Sequence, residues 1–198
     1  MGSEGEIVRK PRFLCIHGFR TSGEILKKQL GKWPDDVLQK STLSLSMVLF
    51  RPKANPTSKE FSILLTTNGS NSTSVNDKRR FAGAILSAGL PGLQAQGVAL
   101  TKVPKIKFLI VIGGAKFKAL SVAEKAYSSP IQCPSLHFLG ETDFLKPFGK
   151  ELLESCVDPV VIHHPKGHTV PKLDEKSAQT VESFFERIQK MLSSEEEE

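Results

Sequence analysis

The chain has 198 residues (21.7 kDa), with 27 basic and 21 acidic side chains, a net charge of +6 and a pI near 9.2. A hydrophobic fraction of 39% excludes a disordered chain, and the length suits one domain, residues 1–198, large enough to bury a core. No apolar run approaches the roughly 18–20 residues of a membrane span, and three scattered cysteines (Cys15, Cys133, Cys156) suit neither a disulfide framework nor a zinc knuckle.

Met1–Lys10 is too polar for a secretory signal, so a reducing, cytoplasmic location is expected, with nuclear access open. Arg12–Ile16 (RFLCI) is a short apolar run that ends in His17-Gly18, the pattern of a buried strand entering a turn. Thr21 or Ser22 can cap a following helix with Ile25, Leu26 and Leu30 on one stripe, ended by Trp33-Pro34. Asp36–Lys40 is a second brief helical stretch.

Residues 41–82 break the pattern. They carry six Lys or Arg against Glu60 and Asp77, and 17 Ser, Thr or Asn. Most of the net charge sits here. Only Leu43–Phe50 and Phe61–Leu65 show sustained periodicity. Orderly patterning then resumes. Gly83–Gln96 reads as a small-residue helix interrupted at Pro91. Ile106–Ile112 (IKFLIVI), Ser135–Leu139 (SLHFL) and Val160–His164 (VVIHH) read as parallel strands, with Phe144–Cys156 helical between the last two. Leu173–Leu192 carries Val181, Phe184, Phe185, Ile188 and Leu192 on one helical face, and Glu195–Glu198 is a solvated acidic tail over 193–198.

Alternating strands and helices predict an α/β three-layer sandwich with a mostly parallel central sheet, whose function lies at the carboxyl ends of its strands. Those ends hold His17-Gly18-Phe19, Gly140–Asp143 and His163–His168. An Asp after one late strand and a His after the next are the second and third members of a Ser, Asp, His order; Asp143 and His168 fill them, 25 residues apart.

The runs RKPRFLCIHGFRTSGEILKKQLGKW, GAILSAG, FLGETDFLKP and HHPKGHTVP resemble the FSH-type serine hydrolases, esterases related to the ovarian-cancer-associated esterase, over about residues 9–40 and 83–192. The resemblance implies an α/β-hydrolase carboxylesterase acting on small-molecule esters without a cofactor. A serine would attack the acyl carbon, His168 would serve as general base, Asp143 would orient it, and the backbone of the His17–Arg20 turn would supply an oxyanion donor.

The family's G-x-S-x-G elbow would end at Gly83, which puts Phe81 at the nucleophile position; a phenyl ring cannot attack a carbonyl. Ser87 lies in the following helix without a strand-to-turn context. Residues 42–82 are therefore expected to lack central strands of the sheet and to leave a seam and a chain of low stability. A reading frame displaced by one base over residues 42–81 is one origin: Thr66–Ser74 (TTNGSNSTS) would then permit an aromatic loop of the family's kind. The alternatives to an esterase are a non-catalytic binding protein and a mis-spliced or frame-shifted product. Metal binding by His163, His164 and His168 is not expected, because no Cys or carboxylate stands at helical spacing to them. Nucleic-acid binding is not expected either, because the basic runs lack interleaved aromatics. Cys15 inside the first strand reads as a buried structural thiol.

Overall fold

The computed structural model describes residues 11–18, 21–46, 61–66 and 83–196. Its elements are β1 (Arg12–Ile16), α1 (Gly23–Leu30), α2 (Asp35–Gln39), β2 (Thr42–Ser46), β3 (Phe61–Thr66), α3 (Gly83–Ala95), β4 (Ile106–Ile112), α4 (Leu120–Ala126), β5 (Ser135–Gly140), α5 (Lys146–Leu153), β6 (Val160–His164) and α6 (Glu175–Glu196). The strands form one sheet in the order β2-β1-β3-β4-β5-β6, and every pairing is parallel. The chain winds outward from β1 to β2, then returns past β1 to β3 and winds the other way. The switch point lies between β1 and β3, where open α/β sheets place their sites.

The expectation that 42–82 lacks central strands is corrected here. The segment supplies β2 on one edge and β3 at the centre, where β3 pairs with both β1 and β4 and closes the anticipated seam. The two strands lie in the two apolar runs that stand out against the polar background, Leu43–Phe50 and Phe61–Leu65. A central parallel strand needs a short branched apolar core, and Ile63-Leu64-Leu65 provides it. Residues 47–60 and 67–82, the rest of that segment, lie outside the described residues.

The inner strands β4 and β5 bury both faces. On β4, Phe108, Ile110 and Ile112 point to one side, where they meet Phe13, Trp33, Phe138, Phe184, Phe185 and Ile188 under α1, α2 and α6. Leu109 and Val111 point to the other side, with Ile16, Ala84, Ala88, Leu90 and Leu152 under α3 and α5. Cys15 is fully buried, and burial pushes its thiol up to about 12, as an inert core residue requires. Ser22 caps α1 by accepting the Ile25 N–H at 3.2 Å. Trp33 is buried, and its indole N–H donates to the Pro171 carbonyl at 3.0 Å, tying the end of α1 to the strap before α6.

Pro91 does not interrupt α3, which runs through it to Ala95. Two glycines account for the close packing on that helix. A Cβ on Gly89 would meet the Phe117 ring at 2.2 Å, and one on Gly92 would meet the Ala126 carbonyl oxygen at 1.8 Å. Burial of both flanks offsets the hydrogen bond lost at proline.

Candidate functional site

The carboxyl end of β5 turns through Gly140-Glu141-Thr142-Asp143, and the carboxyl end of β6 continues through Pro165-Lys166-Gly167-His168. The two loops meet. The Glu141 N–H donates to the His164 carbonyl at 2.8 Å, and the Thr142 N–H reaches the Lys166 carbonyl at 3.4 Å. Gly140 is what allows this approach. A Cβ there would lie 2.4 Å from the Lys166 carbonyl oxygen, 2.7 Å from that of Gly167 and 3.1 Å from the His164 ring. Any side chain at 140 would push the second loop off the first.

That contact brings together the two residues that chain order singles out. His168 Nδ1 lies 2.9 Å from Asp143 Oδ2, with both side chains almost fully buried. Asp143 Oδ1 accepts the Leu145 N–H at 2.8 Å, which fixes the carboxylate plane. A carboxylate that accepts from Nδ1–H selects one tautomer and leaves Nε2 as the basic nitrogen. The Phe144 ring lies 5.0 Å from the His168 ring, tilted 45° to it. The sequence pattern places Gly140 in a strand-end segment without giving it a role and does not mark Phe144, because what each does depends on contacts between the β5 and β6 loops.

The three histidines of HHPKGH diverge. His164 faces the interior, and burial holds its imidazole below the usual range. His163 is exposed and pairs with Glu141 at 3.0 Å. Lys146 binds the other Glu141 oxygen, and the two partners hold that carboxyl low, Lys146 first. Among the described residues there is no group of three or more His, Cys, Asp or Glu side chains suited to a metal ion.

At the end of β1, the His17–Gly18 turn is held by its own polar groups. His17 Nδ1 lies 3.0 Å from the Gly18 carbonyl, which also accepts the Thr21 hydroxyl at 2.9 Å. The first residue of α3 packs directly on this turn: a Cβ on Gly83 would meet the His17 carbonyl oxygen at 2.5 Å and that of Ile16 at 3.1 Å. This is a physical reason for glycine at the last position of the expected elbow. Phe19 and Phe81 lie outside the described residues. Sixteen residues, 67–82, separate the end of β3 from the start of α3.

A cavity of about 410 Å³ lies at the amino-terminal end of the strands, between the end of α3, the start of β4 and the 128–133 loop. It is lined by Gln94, Lys105 and Cys133 among others, and it contains neither Asp143 nor His168.

The family model described as serine hydrolase (FSH1) matches residues 82–180, half of the chain. The chain belongs to this family. The match takes in α3, β4, β5, β6 and both residues of the Asp143–His168 pair, and it begins one residue before Gly83. Among curated proteins, the chain is similar to esterase AGAP003155 of Anopheles gambiae, 33% identical over 116 residues, which is 58% of this chain and 42% of that protein. It is also similar to esterase OVCA2 of Xenopus tropicalis, 39% identical over 92 residues, 45% of this chain and 38% of that protein. Matches of this kind span about two fifths of those relatives' own length. Esterase CG5412 of Drosophila melanogaster aligns over 225 residues at 27% identity, covering 96% of this chain and 79% of that protein.

Among solved structures, the hyperthermophilic esterase of Pyrobaculum calidifontis superposes with a TM-score of 0.53 at 13% identity, covering 93% of this chain and 78% of that one. A fungal esterase from Rhizomucor miehei gives 0.52 at 15% identity, covering 93% and 76%. At such low identity the likeness is one of fold, and the fold is that of the α/β-hydrolases. Among the described residues no helix is long and apolar enough to cross a membrane.

Proposed function

We propose that this chain is a carboxylesterase-type serine hydrolase scaffold that carries the acid–base half of a Ser-Asp-His site without its nucleophile. Asp143 and His168 are that half, and Phe81 occupies the serine position. The observation that carries the reading is the buried 2.9 Å contact between His168 Nδ1 and Asp143 Oδ2 on adjacent strand ends of an α/β-hydrolase sheet.

In the complete reaction, Nε2 of His168 takes the hydroxyl proton as the serine attacks an acyl ester, and returns it to the leaving alcohol. Asp143 steadies the imidazolium without accepting the proton. The backbone at His17, Gly18 and Phe19 supports the oxyanion. The substrate is a small-molecule ester, no cofactor is needed, and the location is cytoplasmic, with nuclear access open. The names of the esterase relatives and the family match that starts at residue 82 support this reading.

With no hydroxyl at position 81, His168 has no nucleophile to activate. Hydrolysis of p-nitrophenyl butyrate by the purified chain and by a His168→Ala variant is therefore expected to be equal. A His168-dependent turnover that leaves an acyl group trapped on a serine or threonine of the chain would mean that another hydroxyl serves as nucleophile, and would overturn the proposal.

A further inference from the structure

We infer that Phe144 is a positioning residue for His168: its ring covers one face of the imidazole and holds it in the plane set by Asp143. The inference rests on the acid–base reading of His168 and adds a residue to it. Two observations carry it. The Phe144 and His168 rings lie 5.0 Å apart at a 45° tilt, within the range of a favourable aromatic pair. The His168 side chain is only 5% exposed, although it sits in a connecting loop whose neighbour Lys166 is exposed.

The geometry explains why the residue after Asp143 suits this task. The carboxylate contacts the edge of the imidazole at Nδ1 and fixes where that nitrogen points. An edge contact alone leaves the ring free to rock about the line joining it to the carboxylate. A flat side chain on one face removes that motion. The Leu145 N–H bond to Asp143 Oδ1 fixes the carboxylate against the turn that carries Phe144. The covered face also excludes water from the Nδ1–H···Oδ2 bond, which strengthens it in the lower local dielectric.

The test reads His168 directly in the 198-residue chain. Solvent exchange of its Nδ1–H proton, followed by 15N-edited NMR with the ring assigned by a His168→Gln control, reports how well that bond is shielded. Phe144→Ala is expected to accelerate the exchange roughly two- to tenfold, the change that loss of one aromatic pair permits. Phe144→Tyr is expected to restore the slow rate, since it keeps the ring. A residue that only adds stability would lower the melting temperature without moving the exchange rate of the folded state. If Phe144→Ala does not fold, Phe144→Leu gives the same reading, because it fills the space without a flat face. Unchanged exchange in the variant that folds, or equal acceleration in Phe144→Tyr, would overturn the inference. The proposed function fails by a different signal, His168-dependent turnover that leaves an acyl group trapped on the chain.

Discussion

The purified chain should hydrolyse activated acyl esters about 10⁶-fold more slowly than a family enzyme with a complete elbow, since removing the serine of a Ser-His-Asp set costs about that much in kcat. The deficit should be nearly as large as for loss of the whole triad, because the three groups act as a unit and a base without a nucleophile contributes little. Any residual rate above water would come from binding and backbone donors alone. Rebuilding the motif with Arg79→Gly and Phe81→Ser, which together with Gly83 restores G-x-S-x-G, should recover little of it. The elbow works because a strand runs straight into the turn and holds the serine exposed on it. Here β3 ends at Thr66, with sixteen residues between it and the start of α3. A serine displaced by about 1 Å already loses roughly a hundredfold. Steady-state kinetics on the parent and the rebuilt variant check both statements, and recovery of the rebuilt variant to family rates would show that β3 need not feed the elbow directly.

Acid should destabilise the fold through His137. This residue lies inside β5, almost fully buried, with Nε2 3.0 Å from the Ser135 hydroxyl and 3.7 Å from Cys156 Sγ. Burial pushes its imidazole from 6.5 down to about 4. Above pH 6.5 it is neutral in both the folded and the unfolded chain and contributes no pH dependence. Between pH 6.5 and 4 the unfolded chain binds a proton that the folded chain refuses, so stability falls as pH is lowered, and the loss levels off below pH 4. The window amounts to about 3 kcal/mol, or a melting temperature lower by roughly 6–12 °C at this chain length. His164, also held low by burial, adds in the same direction. Thermal melts from pH 7 to 4 should show this loss in the parent chain and a much smaller one in His137→Gln, which keeps a polar group near the Ser135 hydroxyl but does not titrate. Parallel melts for the two would show that His137 does not carry the acid dependence.

Much of the sheet is legible because parallel strands buried on both faces must be apolar throughout. RFLCI, IKFLIVI, SLHFL and VVIHH each announce a strand on that ground, and each forms one. The same rule applies to Phe61–Thr66, whose apolar core is plain. Its polar surroundings hide it, because composition averaged over 42 residues outweighs a run of five. The short helix α4 escapes for the opposite reason: LSVAEKA buries only Ala126 and presents no apolar stripe. At the site, Asp143 and His168 follow from chain order after successive strands, and the structure joins them. Gly140 and Phe144 make their contacts through space, one by leaving room for the Lys166 and Gly167 carbonyls and the other by lying 5.0 Å from a ring 24 residues further along the chain. No periodicity or spacing encodes such contacts. Most of the basic excess likewise sits in the 41–82 segment.

The central claim is that a buried Asp143–His168 pair stands here without a nucleophile. A fluorophosphonate tests it most directly, because the reagent forms a stable bond only with an activated hydroxyl. Incubation of the native chain with the reagent, followed by intact mass measurement and peptide mapping, should show no adduct on any serine. A stoichiometric adduct on Ser70, Ser72 or Ser74 between β3 and α3, lost in the His168→Ala variant, would contradict the account and place the nucleophile there.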